Sequence, residues 1–129
     1  LIFIETIKKS ARKNGYVETE MGRRRYIPEI KSQNAQVARS AERMAVNMPI
    51  QGLAADIMKL AMLRADELAR EYENDARMIL QIHDELIFEV KEKRAKEFAA
   101  QLKKVMESAY NLKIPLVAET AIGKNWGEI

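Results

Sequence analysis

The sequence predicts an α+β fold in which helices pack on a small antiparallel sheet, and three features carry that expectation. Ala95, Phe98, Ala99, Leu102, Val105, Met106 and Ala109 recur at the spacing of one helical face. Met78-Ile79-Leu80-Gln81-Ile82 and Leu86-Ile87-Phe88-Glu89-Val90 are β-prone runs either side of an acidic break at Asp84-Glu85, the pattern of an antiparallel hairpin. Tyr16-Val17-Glu18-Thr19 and Arg25-Tyr26-Ile27 flank Met21-Gly22 in the same way. An amphipathic helix must bury its stripe, and a sheet face is the natural cover for it.

Taken in order, Leu1 to Asn14 carries Ile4, Ile7 and Ala11 at helical spacing, and Asn14-Gly15 reads as its stop. The first hairpin follows, with Arg23, Arg24 and Arg25 on its far side, and Pro28 ends it. Beyond a polar connection at Lys31 to Gln33, Val37, Ala41, Met44, Ala45 and Met48 predict a second helix interrupted by Pro49. A third helix, with Ile57, Leu60, Ala61, Arg64 and Leu68 as its stripe, is expected past Gln51-Gly52 and runs out between Glu71 and Asp75. After the second hairpin and the amphipathic helix, Pro115 introduces a last expected strand, Leu116 to Ile122, and Gly123-Lys124-Asn125-Trp126 closes the chain. No internal repeat interrupts this, so residues 1–129 read as one α+β unit.

Composition bounds the function. With 47% hydrophobic and 32% charged residues the chain is a folded object rather than a disordered tail. A net charge of +3 does not by itself imply a nucleic-acid partner, but positive charge is gathered around Arg23. The absence of cysteine excludes disulfides and thiolate metal sites and fits a reducing cytoplasm. No run approaches the roughly 20 apolar residues that span a bilayer, so no membrane partner is expected. Leu1-Ile2-Phe3-Ile4-Glu5 has neither an initiator Met nor a basic leader, and reads as the interior of a helix in a longer protein.

Two adjacent acids between apolar strands suit a hairpin turn kept in water, since turns favour Asp. They can also suit a metal site, because a rigid hairpin can hold a carboxylate at its tip and Mg²⁺ prefers carboxylate oxygens on a preorganised support. Asp84 fits that role better than Glu85, its shorter side chain keeping the oxygens near the backbone. A two-ion site needs carboxylates from separate segments, so this one is incomplete in the sequence. Arg43, Asn47 and Gln51 recur every four residues and line one side of a helix, as either a binding face or a solvated one. Arg23, Arg24 and Arg25 alternate across a strand and cannot all meet one partner.

These residues together resemble the carboxyl-terminal part of family A (DNA polymerase I type) DNA polymerases. Gln81-Ile82-His83-Asp84-Glu85-Leu86 resembles the family's palm motif C. Gly15-Tyr16-Val17-Glu18-Thr19, Gly22-Arg23-Arg24-Arg25-Tyr26-Ile27-Pro28, the run Ala41-Glu42-Arg43-Met44-Ala45-Val46-Asn47-Met48-Pro49-Ile50-Gln51-Gly52 and the closing Ile122-Gly123 to Trp126 follow in the family's order and spacing. The resemblance covers essentially the whole chain. It implies a palm segment with adjoining fingers elements, serving template-directed DNA synthesis in replication and repair by two-Mg²⁺ nucleotidyl transfer. Asp84 matches a metal ligand, and Glu85 a neighbouring acid that assists the catalytic site. His83 matches a residue against the primer end and its minor groove. Arg43, Asn47 and Gln51 match residues facing primer and template, and of the Arg23 to Arg25 run, Arg23 and Arg25 are the candidates for DNA. The implied partners are primer-template DNA, deoxynucleoside triphosphates and polymerase segments upstream, and the implied setting is a bacterial nucleoid or a phage-infected cell.

The family's other palm aspartate, in an Asp-Tyr-Ser-Gln-Ile-Glu type segment, and its fingers helix have no match here, so the isolated chain is expected not to polymerise DNA. Leu53 stands where the family commonly has Thr, a loss of a potential helix cap or backbone hydrogen bond near Gln51. Two other readings compete. One is a DNA-binding remnant that keeps the Arg43, Gln51 and His83 contacts without chemistry. The other is a metal-dependent hydrolase built on His83 and Asp84, which lacks further ligands because His83 is the only histidine.

Overall fold

The computed structural model describes residues 2–129; Leu1, where the first helix was expected to begin, lies outside them. The elements are α1 (Ile2–Asn14), β1 (Tyr16–Glu18), β2 (Arg24–Tyr26), a 3₁₀ turn (Pro28–Lys31), α2 (Ala35–Glu71), β3 (Ala76–Ile82), β4 (Glu85–Val90), α3 (Glu92–Glu107) and a 3₁₀ turn (Trp126–Glu128). This is an α+β chain whose strands form two separate two-stranded antiparallel sheets, β1-β2 and β3-β4. Its contacts divide it into two compact units, Leu1–Asp56 and Ile57–Ile129.

In the first unit, α1 stops because Gly15 takes a left-handed φ of 77° and returns its N–H to the Ala11 carbonyl at 2.8 Å. The chain then forms β1 and β2 with Tyr16, Val17 and Glu18 opposite Tyr26, Arg25 and Arg24. Gly22, at φ 82°, makes the turn between them. Ala11, Val17, Ile27, Ile30, Ala41, Ala45 and Met48 form the core of this unit, with Ile7 and Met44 against it. Across it, Glu42 of α2 pairs with Lys8 at 3.3 Å and with Arg12. The hydrogen bond from Arg12, aided by Lys8, holds the Glu42 carboxyl below its ordinary value. Asn34 caps α2, its Oδ1 accepting from the Gln36 N–H at 2.9 Å.

The expected break at Pro49 does not occur, for α2 runs unbroken from Ala35 to Glu71 with Pro49 inside it. Proline removes one donor, the partner of the Ala45 carbonyl, and crowds one turn. Neighbouring turns keep their hydrogen bonds, and the buried Ala41, Ala45 and Met48 hold the helix around the defect.

In the second unit, Ala65, Leu68, Ala69 and Tyr72 of α2 and its exit meet Ala76, Phe98 and Leu102, with Met78, Leu86, Phe88, Val90, Val105 and Met106 packed around them. Phe98, Leu102, Val105 and Met106 of the α3 stripe therefore cover a face of the β3-β4 hairpin, as the periodicity required, whereas Ala109, expected to continue that stripe, lies past the end of the helix. Phe98 is the centre, edge-on to Tyr72 with centroids 5.1 Å apart and tilted against Phe88 at 5.1 Å. Lys91 closes the base of the hairpin, its Nζ 2.6 Å from Asp75 and its N–H on the Asp75 carbonyl at 2.8 Å. The expected strand Leu116 to Ile122 is absent, the segment being without regular structure. A strand exists through its ladder, and this run pairs with neither hairpin; the Ala118 N–H instead donates to the Glu107 carboxylate at 3.2 Å.

Phe98→Ala is expected to destabilise the second unit by about 3–5 kcal/mol, read as a lowered midpoint in denaturant unfolding. Glu42 gives a pH test in the first unit. Because its folded-state pKa is depressed, its contribution is present above the unfolded-state value and is lost as pH falls through the folded one. The stability difference between the chain and Glu42→Gln should therefore be present at neutral pH and close on acidification, as followed by thermal unfolding across pH.

Candidate functional site

The β3-β4 ladder sets the candidate site. Gln81 lies opposite Leu86 and Ile82 opposite Glu85, which leaves His83 and Asp84 as the whole loop. The turn is thus His83-Asp84 rather than the expected Asp84-Glu85, and Glu85 is the first residue of β4. So short a loop must follow the right-handed twist of its strands, which calls for positive φ at a loop position. His83 supplies it with a φ of 52°, a conformation that costs a side-chain-bearing residue free energy. Gln81 offsets that cost, its Nε2 donating to the His83 carbonyl at 2.7 Å. His83, Asp84 and Glu85 are all exposed.

A bulge between Met78 and Leu80 changes which residues share a face. Before it, Ala76 and Met78 lie opposite Val90 and Phe88, on the side covered by α3. After it, Gln81 takes that side opposite Leu86, while Leu80 and Ile82 pass to the other. Ile79 itself is 54% exposed. Neither the bulge nor the role of Gln81 was legible beforehand; alternation would have placed Leu80 and Ile82 on the core side.

As a metal centre the hairpin is partial. Among the described residues no three of His, Cys, Asp and Glu gather as a metal-binding cluster. Mg²⁺ is nevertheless commonly held by only one or two carboxylates with phosphate oxygens and waters. A single exposed aspartate on a hydrogen-bonded turn fits that demand as one donor.

In the first unit, Arg43, Asn47 and Gln51 are exposed along one face of α2. The three arginines of the hairpin part company. Arg23 Nε donates to both carboxylate oxygens of Asp56 at 3.0 Å, and that hydrogen-bonded acid raises the guanidinium pKa above its ordinary value. Arg24 pairs with Glu18 and lies over the Tyr16 ring at 4.8 Å, and Glu18 raises its pKa in the same way. Arg25 is exposed, its Nη2 on the Met44 sulfur at 3.3 Å, and has no carboxylate partner among the described residues. Asp56 is not among the expected site residues; its only signal in the sequence is its place eight residues after Met48, on the same side of the helix. Leu53 lies well inside α2, so of the two roles expected for a Thr there the helix cap falls away and the backbone hydrogen bond is the one a helix interior allows.

Residues 2–128 match the family model described as DNA polymerase family A. The chain belongs to that family. Among family A relatives, the thermostable DNA polymerase I of Thermus thermophilus is 50% identical over 124 residues, covering 96% of this chain and 15% of that protein. DNA polymerase I of Pseudomonas aeruginosa is 45% identical over 128 residues, covering 99% of this chain and 14% of that protein. The chain therefore spans about 15% of the length of such relatives. Among solved structures, the POL domain of Pol1 from M. smegmatis, in complex with DNA primer-template and dNTP, matches with a TM-score of 0.82 at 46% identity, over 88% of this chain and 20% of that one.

The strained turn gives a stability test. His83→Val is expected to lower stability by about 1–2 kcal/mol relative to His83→Gly, because a β-branched residue resists positive φ and glycine does not. Hydrogen exchange at the β3-β4 amides reads the difference.

Proposed function

We propose that this segment takes part in template-directed DNA synthesis within a larger family A polymerase, as a piece of the palm with adjoining fingers elements spanning residues 1–129. The observation that carries the reading is the exposed Asp84 on a tightly held hairpin tip, in a chain matched by a solved polymerase domain complexed with primer-template and dNTP.

Asp84 supplies one carboxylate of a two-Mg²⁺ site whose other aspartate comes from a polymerase segment outside these residues. When bound, such ions lower the pKa of the primer hydroxyl and offset the charge of the triphosphate during phosphoryl transfer. Glu85, next to it on β4, adds negative potential and a second oxygen acceptor near the site. His83 meets the primer end in the minor groove, its imidazole able to donate or accept there. Asn47 and Gln51 address minor-groove acceptors shared by all correct pairs, which tests pair shape without selecting a sequence. Arg43 and Arg25 bring positive charge to primer and template. The work belongs to bacterial or phage replication and repair in the cytoplasm.

With no metal-binding cluster among the described residues, and with the family's other palm aspartate and fingers helix unmatched in this sequence, the isolated chain should not extend a primed template with Mg²⁺ and nucleotides. Extension by the purified chain, abolished by Asp84→Asn, would contradict this. In the polymerase that carries the segment, Asp84→Asn should lower the insertion rate by at least about 10³-fold, the scale on which loss of a catalytic electrostatic group acts, with primer-template affinity little changed. An unaltered rate would leave the segment a DNA-binding remnant.

A further inference from the structure

The loop of the β1-β2 hairpin is fastened to α2 around Gly52 and Asp56. Asp56 is only 8% exposed, and Arg23 closes on it with Nε donating to both oxygens at 3.0 Å and Nη2 donating to Oδ1. Thr19, 4% exposed, accepts the Arg23 N–H on Oγ1 at 3.1 Å, and the Thr19 carbonyl accepts the Gly22 N–H at 2.9 Å. The Thr19 methyl Cγ2 lies 2.7 Å from where a Cβ on Gly52 would stand. Met48, Gly52 and Asp56 recur every four residues along α2, so they make one ridge of the helix. A missing side chain in the middle of a helix and a buried acid one turn later are each unfavourable alone. Together they form a seat for the loop, with the acid neutralised by an arginine fork.

The same hairpin carries Arg25 on β2, with its guanidinium on the sulfur of Met44, the neighbour of Arg43 in sequence. Val17, opposite Arg25, and Ile27 hold the strands on Ala41, Ala45 and Met48, and the seated loop is a second anchor that sets where Arg25 stands relative to Arg43, Asn47 and Gln51. Arg23 spends its fork on Asp56, and the pair presents no net charge with which to neutralise a phosphate. We infer that Arg23 and Asp56, seated at Gly52, are positioning residues for DNA synthesis, touching no nucleic acid themselves but holding the β1-β2 hairpin so that Arg25 completes the exposed face of Arg43, Asn47 and Gln51. This rests on the reading of that face as the one that meets primer and template.

The test uses the polymerase that carries the segment, with single-nucleotide insertion kinetics and the salt dependence of primer-template affinity. Arg23→Lys keeps the charge but loses the fork, and Asp56→Asn loses the anchor. Each is expected to lower kcat/KM for insertion about tenfold, the double variant to be no worse than either, and neither to have a further effect once Arg25→Gln is present. Gly52→Ala should reproduce the loss, and adding Thr19→Ser, which deletes the opposing methyl but keeps the hydroxyl, should restore activity. That pair keeps the test decisive if Asp56→Asn fails to fold. A wild-type Arg23→Lys overturns the inference, as does an Arg23→Gln that lowers the salt slope by about 0.9 even with Arg25→Gln present, the signature of a phosphate ligand. Unaltered affinity in Arg25→Gln, Arg43→Ala and Gln51→Ala together would instead sink the reading of the face.

Discussion

A hairpin loop of only His83 and Asp84 is the constraint on which the candidate site depends. A loop that short has no slack, so the cross-strand register determines where each of its side chains projects. The register in turn rests on the α3 cover, where Phe98 sits between Tyr72 and Phe88 and fixes one face of the hairpin. The Met78/Leu80 bulge then brings Gln81 into phase to bond the His83 carbonyl. Core, bulge, amide and turn form one chain of cause that ends at an exposed carboxylate. Strain at His83 is tolerated because everything around it is over-determined.

The first unit solves a different problem with opposite means. There the close approach is between a loop and a helix, and it is achieved by removing a side chain, at Gly52, rather than by tightening a turn. The buried Asp56 would be unfavourable without Arg23, and Arg23 would be a loose surface cation without Asp56. Their pairing sorts the arginines of the hairpin into those committed to local acids and the one, Arg25, that is not. Charge clustering in a sequence thus overstates the charge available to a partner.

Much of this was legible in the residues. The α3 stripe as far as Met106, both hairpins and the stop at Gly15 depend on local periodicity and turn chemistry, and they form close to where those rules place them, the second turn being one residue earlier, at His83-Asp84. Asp84 stood out because a short acid between two strong strand runs has few other places to go. Where the structure departs from the local rules, the causes are physical. Pro49 weakens one turn, and the packed neighbours that carry the helix past it are invisible to a local rule. Leu116 to Ile122 has strand propensity but no ladder in this chain. Gln81 and Asp56 gain their meaning from a bulge and from a partner far away in sequence, and neither follows from spacing alone.

If Asp84 is a metal ligand by virtue of its place on the turn, its loss must cost the polymerase an ion. The most direct measurement is Mn²⁺ binding, followed by electron paramagnetic resonance, to the whole polymerase with primer-template and nucleotide bound. Asp84→Asn is expected to lose a tightly bound ion that Glu85→Gln retains. Equal stoichiometry and affinity in the Asp84→Asn protein would contradict it.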